Sequence, residues 1–152
     1  MTKIVAIGGG EIGRPGYPIQ TLPIDKVVVA LSGKPKPHLL FLPTASNDDP
    51  AYNDVIENYY ANHFGCTVDT LRLSDKSSCS EMEQKVASAD IIYVGGGNTL
   101  RMMNLWRKTG LDKVLKQAGM KNKVLAGISA GAICWFDAGL SDSRKFTSNG
   151  KD

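Results

Sequence analysis

Ser129 stands within Gly127-Ile128-Ser129-Ala130-Gly131, the G-x-S-x-G spacing in which a sharp turn from strand to helix pushes a serine hydroxyl clear of the backbone as a nucleophile. The spacing has a steric logic. A side chain at either glycine would collide with a neighbouring strand or helix, and the nucleophile itself needs a strained backbone that only small neighbours permit. The apolar run Val124-Leu125-Ala126-Gly127-Ile128 before the serine reads as a buried strand. The apolar stretch after it, to Phe136, reads as a helix whose free N–H groups and positive end would face a developing oxyanion.

Acyl transfer at a serine also needs two oxyanion donors, one from the residue after the nucleophile, Ala130, and one from a neighbouring loop. Gly95-Gly96-Gly97-Asn98-Thr99 is a second glycine cluster, where the backbone could approach a substrate and aim N–H groups at it. Taken alone it reads equally well as a tight turn. A third cluster, Gly8-x-Gly10-x-x-Gly13, matches the dinucleotide fingerprint, but Pro15, Gly16 and Pro18 interrupt the helix that would have to meet a pyrophosphate.

The elements that position these groups follow from periodicity and punctuation. Lys3 to Ile7 reads as a first, central strand, and Ile24, Val27, Val28 and Leu31 mark the inward face of a helix ended by Gly33. Leu39 to Leu42 is a buried strand stopped at Pro43. Asn47, Asp48 and Asp49 offer caps, with Pro50 in the first turn, for a helix running to Gly65. Thr67 to Leu73 is a third strand, and Ser80-Glu81-Met82-Glu83 has the form of a capping box opening a helix toward Ala89. Ile91 to Val94 is a fourth strand; a helix with Leu100, Met103 and Trp106 inward runs to Gly110, and another covers about 111 to 118. Ser141 to Asp152 reads as a polar surface loop or tail. Alternating strands and helices with short turns predict right-handed crossovers and a parallel sheet covered on both faces. The ligand edge of such a sheet lies at the carboxyl ends of its strands, where Gly95 to Thr99 and Ser129 both fall.

The three motifs together, Ile-Gly-Gly-Gly-Glu at 7–11, Gly-Gly-Gly-Asn-Thr at 95–99 and Gly-Ile-Ser-Ala-Gly-Ala at 127–132, resemble the aspartyl dipeptidase (peptidase E) family of serine peptidases, which includes cyanophycinase-like relatives. The resemblance implies an α/β three-layer sandwich with a mainly parallel sheet, flavodoxin-like and akin to class I glutamine amidotransferases. It also implies a Ser-His-Asp/Glu triad acting on dipeptides with N-terminal Asp. Carried over, Ser129 is the nucleophile, Gly97 and Ala130 supply the oxyanion amides, Asp142 is the acid, and Gly96, Asn98 and Thr99 line the substrate. Read without the resemblance, Asp137 and Asp142 are equally solvated surface carboxylates. No cofactor or metal is implied; the partner is a small peptide, with room for a homo-oligomer.

A serine hydroxyl is a weak nucleophile until a base takes its proton. The sequence has two histidines, His38 and His63. His38 precedes a strand and so lies at the opposite edge of the sheet, about 13 Å from the elbow. His63 closes a helix that runs away from the carboxyl edge. Neither serves. In the resembling family the histidine follows the acid, in a C-terminal segment, so we expect truncation ahead of a natural non-catalytic protein or a base from a second chain.

Composition narrows the remaining classes. A chain of 152 residues suits one domain. Eighteen Lys and Arg against 15 Asp and Glu give +3 with no basic cluster, which points away from nucleic acid and membrane surfaces. Cys66, Cys79 and Cys134 form no C-x-x-C pair, and the chain opens on a strand rather than a signal peptide, so a reduced cytoplasm is expected. Beside the peptidase stand two other readings: a binding module that retains the oxyanion pocket, and a nucleotide-dependent enzyme using Gly8 to Gly13.

Overall fold

Leu39-Leu40-Phe41-Leu42 and Ile91-Ile92-Tyr93-Val94 carry no charged residue on either alternating face, so strands built from them must be covered on both sides. The structure, a computed structural model, describes residues 3–119 and 122–146 and shows that arrangement. Strands β1 (Lys3–Ile7), β2 (His38–Leu42), β3 (Thr67–Thr70), β4 (Ile91–Val94) and β5 (Val124–Ile128) form one sheet in the order β1-β5-β4-β2-β3, and every neighbouring pair is parallel.

Alternate residues of the strands feed two separate cores. Leu40, Leu42, Ile92, Val94 and Leu125 pack toward α3 (Cys79–Ser88), α4 (Thr99–Thr109) and α5 (Leu111–Gly119). Leu39, Phe41, Ile91, Tyr93, Val124 and Ala126 pack toward α1 (Leu22–Leu31) and α2 (Pro50–Phe64). The fold is therefore the α/β three-layer arrangement expected. Among the described residues, no helix is long and apolar enough to cross a membrane.

Several local expectations are corrected. β1 is an edge strand rather than a central one, with β5 on one side and Ile4 44% exposed. In α1, Ile24 and Val27 are exposed, while Val28 and Asp25 are buried. Asp25 can be buried because the hydroxyls of Tyr59 and Tyr60 donate to its carboxylate at 2.9 and 2.8 Å, tying α1 to α2. β3 stops at Thr70 because the chain then turns, the Asp48 carboxylate accepting the Ser74 amide at 2.8 Å. The cap of α3 is Ser78 rather than Ser80: Ser78-Cys79-Ser80-Glu81 has the same spacing two residues earlier, and its hydroxyl accepts the Glu81 amide at 3.2 Å. On α4 the inward residues are Met102 and Trp106, with Leu100 exposed. The Trp106 indole donates to Thr44 Oγ1 at 3.1 Å, locking α4 to the turn after β2. The polar stretch from Ser141 is not a free loop throughout, since 143–146 form a short helical turn and Ser143 is buried; residues 147–152 lie outside the described residues.

The order of strands locates the ligand edge. From β2 the chain moves outward to β3, and from β4 it moves the other way to β5, so the reversal falls between β2 and β4. The loops leaving those two strands meet there, the Asn98 amide donating to the Ala45 carbonyl at 2.8 Å.

Candidate active site

Ser129 follows the last residue of β5 with φ 55° and ψ −114°, a conformation that L residues other than glycine rarely adopt. Its amide donates to the Ile7 carbonyl at 2.8 Å, and its carbonyl accepts from Ala132 and Ile133 at 2.9 and 3.1 Å. The backbone is thus held from both sides while the side chain stays exposed. The flanking glycines are required by what they touch: a Cβ at Gly127 would land on the Gly131 carbonyl, and one at Gly131 would land on the Val94 carbonyl at the end of β4.

The helix after the serine, α6 (Ala130–Ile133), has four residues and does not reach Phe136 as expected. Trp135 instead turns back, its indole donating to the Ala126 carbonyl at 3.1 Å, and Gly139 packs on Ile133. So short a helix has little macrodipole, and any anion stabilisation here rests on individual amides. Among the described residues, neither the Ala130 nor the Gly97 amide is taken by a protein acceptor. The Gly96 amide, by contrast, donates to the Tyr52 hydroxyl at 3.3 Å. Gly97 has φ 143°, and a Cβ there would overlap the Ala45 carbonyl, so this tight approach of two loops requires glycine.

Two cavities open at Ser129, and among the described residues Ser129 is the one lining residue that they share. The smaller, about 510 Å³, is lined by Gly97, Thr99, Leu140 and Asp142, so four of the positions singled out in the sequence (Ser129, Gly97, Thr99 and Asp142) meet around one space. The larger, about 990 Å³, runs between the 9–19 loop and one face of α2 and includes Gly96. Asn98 acts as the cap of α4: its Oδ1 accepts the Arg101 amide at 2.9 Å, which leaves its NH₂ as the side chain's remaining donor. Asp142 is exposed and makes no bond to Ser129.

The histidines stand as their elements dictate. His38 opens β2 at the amino edge, with Nδ1 3.2 Å from the Ser88 carbonyl. His63 lines the larger cavity, but in the last turn of α2, about 16 Å along the axis from Tyr52 at 1.5 Å per residue. Its Nδ1 lies 3.1 Å from the Tyr59 carbonyl. No imidazole reaches Ser129. Cys134, close after the elbow, is no alternative nucleophile, since burial pushes its thiol up to about 12.

Sequence reasoning missed three contributors. Tyr52 was indistinguishable from a core aromatic, yet its hydroxyl meets Gly96. Burial raises its phenol above the ordinary range, so it stays neutral. Ser143, 3% exposed, accepts the Leu100 amide at 3.3 Å and ties the Asp142 segment to α4. Glu11 organises the loop after β1, accepting the amides of Gly13 and Arg14 at 3.1 and 2.8 Å and the Arg14 guanidinium at 2.7 and 2.8 Å. The signal for Glu11 was the Gly-Gly-Gly-Glu run, read first for its glycines. α1 begins only at Leu22, well past Gly13, so no helix N-terminus meets that loop in the way dinucleotide binding requires.

These donors, the Arg14 side chain foremost, hold the Glu11 carboxyl at about 2, down from its ordinary 4.5. A depressed acid contributes stability above its unfolded value and loses it as pH falls through the folded one. Allowing for the exposure of Arg14, Glu11→Gln is expected to cost about 1 kcal/mol at neutral pH, with the difference from the native protein vanishing on acidification toward pH 2. Urea melts at stepped pH check this, and a difference independent of pH would refute it.

Comparison with known proteins shows the family and the fold. The model of peptidase family S51 matches residues 4–149. An uncharacterized peptidase, YgaJ, of Bacillus subtilis (strain 168) is 40% identical over 147 residues, covering 94% of this chain and 60% of its own. An uncharacterized peptidase of Pasteurella multocida (strain Pm70) is 34% identical over 97 residues, covering 62% of this chain and 46% of its own. The chain thus spans about 60% of the first of these relatives and less of the second. Among solved structures, a peptidase from an acI-B1 Actinobacterium superposes with a TM-score of 0.71 at 22% identity, covering 88% of this chain and 56% of its own. A candidate peptidase E from Listeria monocytogenes EGD-e gives 0.65 at 22% identity, covering 88% and 61%. At that identity both speak to the fold.

Proposed function

From the premise that this chain belongs to peptidase family S51, we propose that it carries the nucleophile half of a serine peptidase acting on short peptides, dipeptides with N-terminal Asp foremost. The observation that carries this reading is the strained, exposed Ser129 at the end of β5, with Gly97 lining a cavity at it and the amides of Gly97 and of the next residue, Ala130, not taken by a protein acceptor among the described residues. In this mechanism Ser129 Oγ attacks the scissile carbonyl carbon and its proton passes to a general base. The carbonyl oxygen, now an oxyanion, accepts from the amides of Gly97 and Ala130. The amine leaves with a proton returned by the same base, and water then releases the acyl group from Ser129. Asp142 orients the base, while Thr99 borders the acyl half of the substrate and Asn98, which lines neither cavity, serves as the cap of α4.

The base is the component this chain lacks near Ser129. That observation favours a second reading, in which the protein binds small carboxylates or a partner in the same pocket without turnover. The two are separated by a fluorophosphonate probe. Labelling at Ser129, located by peptide mass and abolished in Ser129→Ala, is the expected result. Protein that stays unlabelled yet binds Asp-containing dipeptides would favour the second reading.

A further inference from the structure

The loop after β1 has no part in the mechanism just given, yet it is braced by hydrogen bonds along its length. The Glu11 carbonyl accepts the Gln20 amide at 2.7 Å, the Glu11 amide donates to Gln20 Oε1 at 3.0 Å, and the Tyr17 amide donates to the Arg14 carbonyl at 3.0 Å. Pro15 and Pro18 restrict the turn between them. All of this holds one side chain. Arg14 is gripped along its Nε and Nη2 edge by the Glu11 carboxylate at 2.8 and 2.7 Å, and its guanidinium lies 4.8 Å from the centre of the Tyr17 ring. Even so its side chain is 64% exposed, and it lines the larger cavity with Ser129.

We propose that Arg14 is the specificity-determining residue that reads the C-terminal carboxylate of a short peptide substrate, with Glu11 as its positioning residue. This rests on the reading of Ser129 as the nucleophile. The cavities share Ser129 among the described residues, so a peptide attacked there has one half on the side of Gly97 and the other on the side of Arg14, and the leaving half is assigned by this proposal to the side of Arg14. In a short peptide the leaving half ends in a free carboxylate. A guanidinium has five N–H donors in a planar fork, and the Glu11 grip leaves the Nη1 side for a ligand while fixing the plane in advance. Tyr52 lines the same cavity as Arg14, and its hydroxyl meets Gly96, whose Cα hydrogen side faces Ser129. Asp49, which caps α2, and Asp54 on that helix also line the cavity and disfavour an anion elsewhere in it, so a carboxylate is directed to Arg14.

The test is calorimetric titration of the Ser129→Ala protein with Asp-Ala and with the same peptide carrying a C-terminal amide. A charge-assisted pair at a partly exposed site predicts roughly 5–20-fold tighter binding of the acid. Adding Arg14→Gln should bring the ratio to about one, and Arg14→Lys should leave an intermediate ratio. If Arg14→Gln fails to fold, the side-chain Nε–H resonance of Arg14 in ¹⁵N-labelled native protein gives the same answer, shifting with the acid and not with the amide. A ratio near one with Arg14 present, a ratio unaltered by its loss, or binding of neither peptide overturns the proposal. Discrimination without fluorophosphonate labelling would remove the nucleophile reading and leave Arg14 as a carboxylate-binding residue only, overturning its role in substrate specificity; labelling without discrimination would keep the nucleophile reading and overturn the role of Arg14.

Discussion

Hydrolysis of an Asp-X dipeptide by the 152-residue protein should rise by about 10²–10⁴ when the C-terminal part of a family relative is joined to it, the range general-base assistance is worth. At neutral pH the Ser129 hydroxyl is protonated, and neither His38 at the amino edge nor His63 far down α2 is placed to take that proton. On the proposed mechanism what remains is positioning and the oxyanion amides assigned to Gly97 and Ala130; in other hydrolases such groups leave a residual acceleration of roughly 10³–10⁴ over water. In the joined protein Ser129→Ala should then return the rate to that of the unextended chain or lower. Initial rates on one substrate for the short form, the joined form and both Ser129→Ala variants decide the matter. Turnover by the short form that rivals the joined form and vanishes in Ser129→Ala would mean that a base is already present, supplied by a second copy of the chain.

Gly131→Ala is expected to destabilise the fold by about 3 kcal/mol or more, the upper range for overpacking. The added methyl would land on the Val94 carbonyl and come within 3.0 Å of the Gly95 carbonyl, both backbone atoms at the end of a central strand that cannot swing aside as a flexible side chain can. In a domain of this size that corresponds to a fall in Tm of roughly 6–12 °C. Gly8→Ala is the control. A Cβ there meets nothing within 4 Å and the residue does not have positive φ, so its melting curve should lie within about 0.5 kcal/mol of the native one. Equal stability of Gly131→Ala and the native protein would show that the elbow relaxes, and that the close packing of Gly127 on Gly131 does not hold Ser129 in its strained geometry.

The amino-acid sequence by itself determined the strands, the parallel three-layer architecture and the place of Ser129, because each rests on local chemistry. Apolar runs of four or five residues with no charge must be covered on both faces, and glycines at fixed spacing around a serine signal a turn that excludes side chains. Cap positions were legible only approximately: Ser78 and Ser80 offer the same hydroxyl at the same spacing from a glutamate, and it is Ser78 that takes the Glu81 amide. The inward faces of α1 and α4 were misread for a similar reason. Asp25 is buried because two tyrosines from another helix satisfy it, and on α4 it is Met102 rather than Leu100 that joins the core cluster with Trp106.

Tertiary structure alone decided which residues share a space. Asp142 and Gly97 meet at Ser129 because three loops leave one edge of the sheet, and Arg14 joins Ser129 in a cavity because Glu11 folds the first of those loops back on itself. Tyr52 meets Gly96 across 44 residues of chain. Sequence spacing has no term for such distances: they are set by the strand order, in which β1 and β5, far apart in the chain, lie side by side, and by the packing of two cores that hold that order in place.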